Sequence, residues 1–432
     1  MLEKMFKLKA HGTTVKTEVM AGLTTFLTMA YILFANPDIM GAAGMPVHAV
    51  FVATAVAGAL GCFVMGLWAN FPAGLAPGMG LNAFFAFAVV GGMGYTWNQA
   101  LAAVFVSGII FFLLSAFRIR EWIIGSIPES LRHGITVGIG LFLTIIAFKN
   151  AGIIVSFEPT LVKLGDMTSP GPILAGFGLL LIIALDHKKV PGAVLVSILI
   201  VSIIAAFLGL THFSGLVSAP PSMSELVFAM DFSRSLEAGM ISVVLAFVFV
   251  DLFDTSGTLM ATASKAGLTD ENGKFDNMGR AMVADSAATT AGAAIGVSSV
   301  TTYVESGAGI AAGGRTGLTA VVVGIMFLVA MFFSPLLSFV PAYATAPALM
   351  FVGLLMTSDM TNIHWDDMTE SAPAWIAAIG MPLFFSISHG IGMGFVAYTA
   401  VKLMSGRYRD IKPAVAIVAV LYIVGLATGT LG

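Results

Sequence analysis

Residues 246–260 read AFVFVDLFDTSGTLM, and residues 296–310 read GVSSVTTYVESGAGI. These two stretches place three carboxylates, Asp251, Asp254 and Glu305, in otherwise apolar, glycine-rich sequence. A carboxylate at the depth of a lipid bilayer is costly unless it faces protein, water or a ligand. The three acids therefore indicate a functional site inside a membrane protein, and the pattern is typical of a transporter.

The composition of the whole chain also requires a membrane. Of its 432 residues, 58% are hydrophobic and 10% are charged, and the mean hydropathy is +0.97. No soluble domain can hide this much apolar surface, so lipid must cover it. The net charge of −3 argues against nucleic acid binding. The single cysteine, Cys62, allows neither an internal disulfide nor a thiol cluster for a metal.

Apolar runs of about 17 to 25 residues predict membrane-spanning helices. The first run follows a polar start that is too long for a signal peptide, so it is expected to stay as an uncleaved span. The run 371–405 is divided in two because Gly390 and Gly392 favour a break over one helix bent at Pro382. Whether the last apolar stretch, 412–431, crosses the membrane is left open. The fourteen predicted spans are 17–40, 48–68, 74–93, 98–117, 127–148, 172–187, 190–209, 236–260, 280–297, 300–313, 317–338, 340–357, 371–388 and 390–405.

Basic residues predict the orientation of these spans. With fourteen spans they all fall on one side, which the positive-inside rule assigns to the cytoplasm, together with the N-terminus. They are Lys4, Lys7, Lys9, Lys16, Arg118, Arg120, Lys188, Lys189, Lys265, Lys274, Arg280, Arg407, Arg409 and Lys412.

The two halves of the chain are weakly similar. Pro128 leads to Gly140-Leu141 over the same spacing by which Pro341 leads to Gly353-Leu354, and Asn36 in span 1 aligns with Asp254 in span 8. Seven spans per half give the repeats opposite topology, which is a common plan for secondary transporters. Chance matches between apolar helices are frequent, so the similarity alone does not decide the matter.

Spans 3 and 10 are poor helices. FPAGLAPGMGLNAFFAF, at 71–87, combines prolines and glycines, and GVSSVTTYVESGAGIAAGGRTG, at 296–317, combines β-branched residues with glycines. Backbone that leaves the helix at membrane depth must be buried in protein or line a cavity, and transporters bind substrate between such segments. The alternative is that the glycines in these two spans only allow neighbouring helices to pack closely. The matching positions and Glu305 favour a binding site.

Asp251 and Asp254 are three residues apart and are expected to share a helical face. Two such carboxylates repel each other in a low dielectric if both are ionised, so one is expected to hold a proton near neutral pH. The alternative is that Asp254 caps a segment beginning at Thr255.

Two further side chains are candidate ligands. Asn82 carries both a donor and an acceptor, although a membrane asparagine often joins helices instead. Phe84 can stack on a planar ring, although aromatic residues in spans more often face lipid or the core. No metal-ligand spacing or catalytic triad is present in the sequence.

Four segments together identify a family resemblance. They resemble the AzgA-like purine permeases, the hypoxanthine–adenine–guanine branch of the nucleobase/ascorbate transporter superfamily. The similarity runs over about residues 1 to 431, and the opening MLEKMFKLKAHGTT resembles bacterial adenine permeases most closely. The segments are GLTTFLTMAYILFANPDIM, GLAPGMGLNAFFAF, FVFVDLFDTSGTL and SSVTTYVESGAGIAAGGRTGLTAVVVG.

The resemblance implies an all-α polytopic membrane protein with a 14-span, 7+7 inverted repeat and short extended segments in spans 3 and 10. It implies core-domain regions at 1–120 (spans 1–4) and 231–339 (spans 8–11). The gate-domain regions are then 121–230 (spans 5–7) and 340–432 (spans 12–14 plus the C-terminal apolar segment). Substrate is expected between the two domains.

The function implied is that of a purine base:proton symporter that imports adenine across the cytoplasmic (inner) membrane by an elevator-like alternating-access mechanism. The family's important positions fall on Asn82, Asp251, Asp254 and Glu305. A homodimer is expected, and neither a cofactor nor an enzymatic activity is. With the residue-based candidates added, the expected substrate-binding residues are Glu305, Asn82, Asp251, Phe84 and Thr302, and the expected proton-coupling residues are Asp254 and Asp251.

The chemistry of a purine agrees with these residues. A purine presents ring nitrogens that donate and accept, so Glu305 can take an N–H while a backbone N–H serves an acceptor. Three alternatives stay open: a guanine/hypoxanthine permease of the same family, an anion transporter of the same fold, and a membrane enzyme using Asp251 and Asp254. The acids argue against the second, and the absence of histidine or cysteine at ligand spacing argues against the third.

Overall fold

The computed structural model describes residues 2–117, 127–269, 275 and 277–427, and within these ranges the chain is mainly helical. The predictions that concern Arg118, Arg120, Lys274, the domain boundary at 120–121 and residues 428–431 lie outside the described residues. The α-helices are α1 (Leu2–Phe6), α2 (Val15–Met29), α3 (Ile32–Ala42), α4 (Val47–Val64), α5 (Met79–Ala83), α6 (Trp97–Ala116), α7 (Glu129–Asn150), α8 (Pro170–His187), α9 (Ala193–Phe207), α10 (Ala238–Lys265), α11 (Met278–Ile295), α12 (Ser306–Ala311), α13 (Gly317–Ala330), α14 (Leu336–Phe339), α15 (Ala342–Thr357), α16 (Met368–Phe384), α17 (Ile387–Met404) and α18 (Pro413–Ala427).

Shorter helical and extended segments complete the description. The π-helical turns Met65–Ala69 and Phe84–Gly92 continue α4 and α5. The strands are β1 (Leu75–Pro77), β2 (Ile154–Phe157), β3 (Leu161–Leu164) and β4 (Val300–Thr302), and the 3-10 turns are Met331–Phe333, Ser358–Asn362 and Tyr408–Asp410. β2 and β3 form a hairpin, whereas β1 pairs with β4 from the other half of the chain.

The helices occur where the fourteen spans were predicted. Among the described residues, six helical segments are long and apolar enough to cross a membrane, and other apolar helices are shorter. The shorter ones include Met79–Gly92 in span 3, which begins after β1 instead of running the full length of the span. The prediction that spans 3 and 10 contain extended backbone is confirmed.

Helix packing brings together spans that are distant in sequence. The span 11 helix α13 packs on α2 and α4, and the span 9 helix α11 packs on α4 and α6. In the remaining spans, α7 packs on both α15 and α16, and α8 packs on α15. The division into core and gate domains, with its boundaries, stays a prediction.

The two glycines that marked the weak repeat lie in contact. A Cβ atom added to Gly140 on α7 would lie 2.7 Å from the carbonyl oxygen of Gly353, and one added to Gly353 on α15 would lie 2.6 Å from the carbonyl oxygen of Gly140. Each glycine therefore lets the other helix approach, and the equivalent positions of the two halves meet at one helix crossing.

The run 371–405 is indeed divided, but at a different residue from the one expected. α16 ends before Phe385, which has a left-handed φ of 51°, and Ser386 caps α17 by accepting from the His389 N–H. Gly390 and Gly392 lie inside α17, so the prediction that they make the break is wrong. Their missing side chains instead admit Met381 and Tyr422.

The last apolar stretch forms α18, a helix of 15 residues. The Tyr422 hydroxyl lies 2.9 Å from Nδ1 of His389, near the start of α17. Asp410, just before α18, lies 3.7 Å from Lys402, near the end of α17. α18 therefore runs antiparallel along α17.

Candidate functional site

The two broken spans meet at a short antiparallel strand pair. Leu75 lies opposite Thr302, and Pro77 lies opposite Val300. Hydrogen bonds extend the pairing at both ends: the Gly78 N–H donates to the Ser299 carbonyl at 2.8 Å. At the other end the Gly74 N–H donates to Oγ of Ser306 at 2.9 Å. Backbone groups that a helix would have satisfied are thus paired across the two halves of the protein.

The side chain of Cys62 is hydrogen-bonded to the backbone of this strand pair. Sγ of Cys62 on α4 accepts from the Leu75 N–H at 3.2 Å and donates to the Leu75 carbonyl at 3.4 Å. On the same helix, a Cβ added to Gly61 would lie 3.0 Å from Cβ of Leu75, so only a small residue lets the strand approach. Cys62 therefore has a structural role here.

A cavity of about 830 Å³ lies against the strand pair and extends to the helix ends. Its walls come from the first, third, eighth and tenth spans on one side and from the fifth, sixth, seventh and twelfth on the other. The described residues that line it are Thr28, Tyr31, Gly78, Met79, Gly80, Leu81, His133, Thr136, Ile139, Asp186, Val190, Ala193, Val194, Val250, Asp254, Gly257, Thr258, Ala261, Lys265, Thr301, Thr302, Tyr303, Val304, Glu305, Ala308, Phe351, Val352, Leu355, Met356, Ser358 and Asp359.

Two of the three predicted carboxylates line this cavity. Glu305 directly precedes α12, and its Oε1 accepts a hydrogen bond of 2.6 Å from the Tyr31 hydroxyl. Asp254 lies on α10 in a stripe of lining residues at helical spacing that also includes Val250, Thr258 and Lys265. α10 continues through Asp254 without interruption, so the alternative that this residue caps a new segment is wrong.

The third predicted carboxylate, Asp251, lies behind the cavity wall. It is 2% exposed, and its Oδ2 accepts from the Thr289 hydroxyl of α11 at 3.0 Å. The reverse contact lies one turn further along α10, where the Thr255 hydroxyl donates to Oδ2 of Asp285 at 2.8 Å. α10 and α11 are thus joined by two reciprocal hydrogen bonds, in each of which a threonine of one helix donates to an aspartate of the other.

Thr302 connects the strand pair to these buried acids. It lines the cavity, and its hydroxyl donates to Oδ1 of Asp285 at 2.7 Å. Asp285 is fully buried and accepts from both Thr255 and Thr302. Sequence reasoning could not orient Asp285, because an acid near a predicted span end usually faces solvent.

Asn82 and Phe84 are not among the described residues that line the cavity, although Met79, Gly80 and Leu81 beside them are. Asn82 is fully buried, and in the described part of the chain neither its side-chain nitrogen nor its oxygen has a hydrogen-bond partner. The buried ring of Phe84 packs edge-on against Phe247 at a centroid distance of 5.0 Å. The substrate-binding roles of Asn82, Phe84 and Asp251 stay predictions.

The structure adds lining residues that sequence reasoning missed. Tyr31, Tyr303 and Phe351 supply aromatic surface near Glu305 and across the cavity. Tyr31 and Phe351 both lie in apolar runs, whose sequence does not show which side chains face a cavity. Toward the helix ends the lining carries ionisable side chains, namely His133, Asp186, Lys265 and Asp359. His133 Nδ1 lies 2.7 Å from Oδ2 of Asp359.

The site does not have the composition of a metal centre. Among the residues that the structure describes, no group of three or more His, Cys, Asp or Glu side chains is placed to hold a metal ion. The site is a large cavity lined by carboxylates and hydroxyls next to non-helical backbone. This combination is suited to holding a small polar molecule.

Comparison with known proteins decides the family. The model described as "Permease family" (Xan_ur_permease) matches residues 16–393. The chain belongs to this permease family. The resemblance predicted from the four segments is thereby confirmed, and the permease is a transporter and not an enzyme.

Two similar proteins show how far the similarity of the permease extends. Adenine permease AdeQ of Escherichia coli (strain K12) is 52% identical over 421 residues, which cover 98% of this chain and 95% of that protein. Guanine/hypoxanthine permease PbuO of Bacillus subtilis (strain 168) is 44% identical over 430 residues, which cover 98% and 99%.

A solved structure shares the fold. The transmembrane domain of the cyanobacterial bicarbonate transporter BicA aligns with a TM-score of 0.68 at 16% identity, covering 87% of this chain and 97% of that one. The prediction of an all-α polytopic membrane protein with a 14-span, 7+7 inverted repeat is confirmed. At this identity the likeness concerns the fold alone.

Proposed function

We propose that this permease imports purine bases with protons across the cytoplasmic membrane, and that adenine is its substrate. The observation that carries the proposal is Glu305, a carboxylate in the cavity wall beside the strand pair formed by the two broken spans. The adenine permease that is 52% identical over nearly the whole chain supports the choice of base.

The proposed contact follows from the chemistry of a purine. Oε1 of Glu305 accepts from Tyr31, and its second oxygen, Oε2, can accept an N–H of the base. The rings of Tyr303 and Phe351 also line the cavity and can pack against a planar ligand. Asn82 and Thr302 remain proposed contacts, and a base that reaches Asn82 would satisfy an amide that is otherwise unpaired.

Asp254 and Asp251 are proposed to carry the driving proton. Asp254 faces the cavity, whereas Asp251 is held by Thr289 behind it, so a proton would reach Asp254 first. Coupling requires that the site binds the base more tightly when it is protonated. A carboxylate in a low-dielectric site can hold a proton near neutral pH, which makes such a preference attainable.

An elevator-like mechanism is proposed for the transport step. Asp254 and Glu305 belong to the predicted core domain, whereas Ile139, Phe351 and Asp359 on the opposite wall belong to the predicted gate domain. A movement of the core against the gate would carry the base while keeping its ligands together. A homodimer remains proposed on the family resemblance.

The proposed orientation places the N-terminus in the cytoplasm and the chain in the inner membrane. Lys265 and His133, which line the cavity near the ends of their helices, then lie on the cytoplasmic side. With this orientation, the ionisable end of the cavity lies toward the cytoplasm.

Guanine and hypoxanthine are the second candidate substrates, because a guanine/hypoxanthine permease is 44% identical over nearly the same length. Adenine carries an amino group at the purine 6-position where guanine and hypoxanthine carry an oxygen, so one or two hydrogen bonds decide between them. An anion is less well suited, since Asp254 and Glu305 line the base of the cavity.

The test of the proposed contact is Glu305→Gln, which keeps the shape of the side chain and removes its charge. Adenine binding should weaken by about 1.5–3 kcal/mol because a charge-assisted hydrogen bond is lost. Titration of the purified protein with labelled adenine measures this change. Glu158→Gln, the same substitution on the exposed hairpin, is the matched control and should bind like the parent.

Unchanged affinity in Glu305→Gln would place the ligand elsewhere. In proteoliposomes, uptake of labelled adenine is then measured against unlabelled adenine, guanine, hypoxanthine and bicarbonate. Competition by adenine at the lowest concentration supports the proposal. Competition by hypoxanthine and guanine at lower concentrations would favour the second candidate, and uptake of labelled bicarbonate without uptake of labelled adenine would favour an anion transporter.

A further inference from the structure

One cavity residue contacts the proposed purine ligand Glu305 directly. Tyr31 lies between α2 and α3, is 1% exposed, and donates its hydroxyl hydrogen to Oε1 of Glu305 at 2.6 Å. Three residues earlier, Oγ1 of Thr28 lies 3.3 Å from the backbone carbonyl of Glu305, although its hydroxyl hydrogen has a nearer acceptor in the Thr25 carbonyl at 2.7 Å. The first span therefore holds Glu305 at its carboxylate, through Tyr31.

The surroundings of Glu305 explain why it needs such support. Glu305 immediately precedes α12. Two residues before it, the Tyr303 hydroxyl donates to the Pro77 carbonyl in β1. Its side chain extends into a large cavity, where it would otherwise be free to change rotamer. A buried hydroxyl on one oxygen fixes the plane of the carboxylate, and hydrogen bonds to charged groups are the stronger ones.

We infer that Tyr31 is a positioning residue for substrate binding: it holds Oε1 of Glu305 and thereby directs Oε2 toward the N–H of the purine. The inference rests on the proposed contact between Glu305 and the base. Tyr31 acts through the carboxylate, so removal of its hydroxyl affects binding only while Glu305 is the ligand. The ring of Tyr31 continues to line the cavity wall when the hydroxyl is removed.

A double-mutant cycle tests this role. Tyr31→Phe removes one oxygen atom and should raise the Kd for adenine about tenfold, since one charged-group hydrogen bond no longer orients the carboxylate. In the Glu305→Gln background the same substitution should produce little further loss, because residues that act as a unit are not additive. A merely structural role for Tyr31 would lower affinity by the same factor in both backgrounds.

Two further variants make the test decisive. Tyr343→Phe is the matched control, because the Tyr343 hydroxyl is buried without a partner in the described part of the chain. Its Kd should equal that of the parent. Glu305→Asp keeps the charge but withdraws it by one methylene from Tyr31 and from the base alike, so its Kd should rise at least as much as that of Tyr31→Phe, and adding Tyr31→Phe to it should produce little further loss.

The outcomes separate the two proposals. If Glu305→Gln weakens binding whereas Tyr31→Phe does not, the positioning role is overturned and the purine contact stands. If Glu305→Gln itself binds adenine like the parent, the proposed contact fails, and the role of Tyr31 fails with it. Equal losses for Tyr31→Phe in both backgrounds would also overturn the inference.

Discussion

Asn82 is predicted to bind substrate, and its surroundings in the structure bear on that prediction. Its side chain is fully buried, yet in the described part of the chain both of its polar atoms lack a hydrogen-bond partner. A buried polar group without a partner costs about 1–3 kcal/mol, so natural proteins keep one only where water, an ion or a substrate satisfies it. We therefore predict that Asn82 serves function more than stability.

This reasoning predicts the effect of Asn82→Leu, which is nearly isosteric and apolar. The free energy of unfolding should stay the same or rise by about 1–3 kcal/mol, because an unsatisfied amide is removed. Adenine binding should weaken at the same time. Thermal unfolding in detergent and ligand titration measure the two quantities. A less stable variant with unchanged affinity would show that Asn82 serves the fold.

For single residues, the sequence predicted which carboxylates matter better than it predicted which way their side chains point. Glu305 and Asp254 could be found because a carboxylate in an apolar run has few structural uses. Asp251 was expected on the same face as Asp254, but three residues along a helix turn about 300°, which leaves the two side chains about 60° apart. That angle is enough for Asp254 to face the cavity while Asp251 contacts Thr289 of α11.

Among the elements, the broken spans were predictable and the partners that support them were not. Proline and glycine in span 3 and β-branched residues in span 10 exclude a continuous helix locally, whatever the rest of the chain does. The contact of Cys62 with β1 depends on how α4 packs, which no local pattern encodes. The same is true of Glu18, a fully buried acid on α2 that accepts the N–H of Arg315 at 2.9 Å, next to α13.

The close crossing of helices α7 and α15 predicts that a larger residue at Gly353 destabilises the protein. Gly353→Ala places a methyl group 2.6 Å from the Gly140 carbonyl oxygen, so the two helices must separate. Overpacking of this kind costs about 1–3 kcal/mol of unfolding free energy. The matched control is Gly176→Ala on α8, where a Cβ meets nothing within 4 Å, and which should be neutral or stabilising. Equal unfolding midpoints for the two variants in detergent would contradict the proposed close contact.

For the whole molecule, composition and span count indicated the membrane fold, and the positions of the broken spans indicated where the two repeats meet. The cavity wall opposite Glu305 could not be predicted, because Ile139 and Phe351 look like ordinary apolar residues of a span. Only the packing of the fifth and twelfth spans against the strand pair gives them a role. The sequence therefore predicted the wall that contains Glu305 and Asp254 better than the wall opposite it.

Proton coupling is a property of the whole molecule, because it requires a protonation site, a base site and a movement that connects them. Asp254→Asn should imitate a permanently protonated carboxylate, so the variant should still bind adenine and exchange it across the membrane. It should not concentrate adenine, because no proton is released or taken up in each cycle. Counterflow of labelled adenine and its accumulation under an imposed pH gradient measure the two activities in proteoliposomes.

The comparison of Asp254→Asn with Asp251→Asn assigns the proton. Asp254 faces the cavity, whereas an asparagine at 251 can still accept the Thr289 hydroxyl, so the loss of accumulation is expected at 254 first. Asp166→Asn, on an exposed turn outside the spans, is the control and should accumulate adenine like the parent. If both of the other variants accumulate adenine as well, the two aspartates are structural, and the proton must travel through another acid, such as Glu305 or the buried Asp285, or not at all.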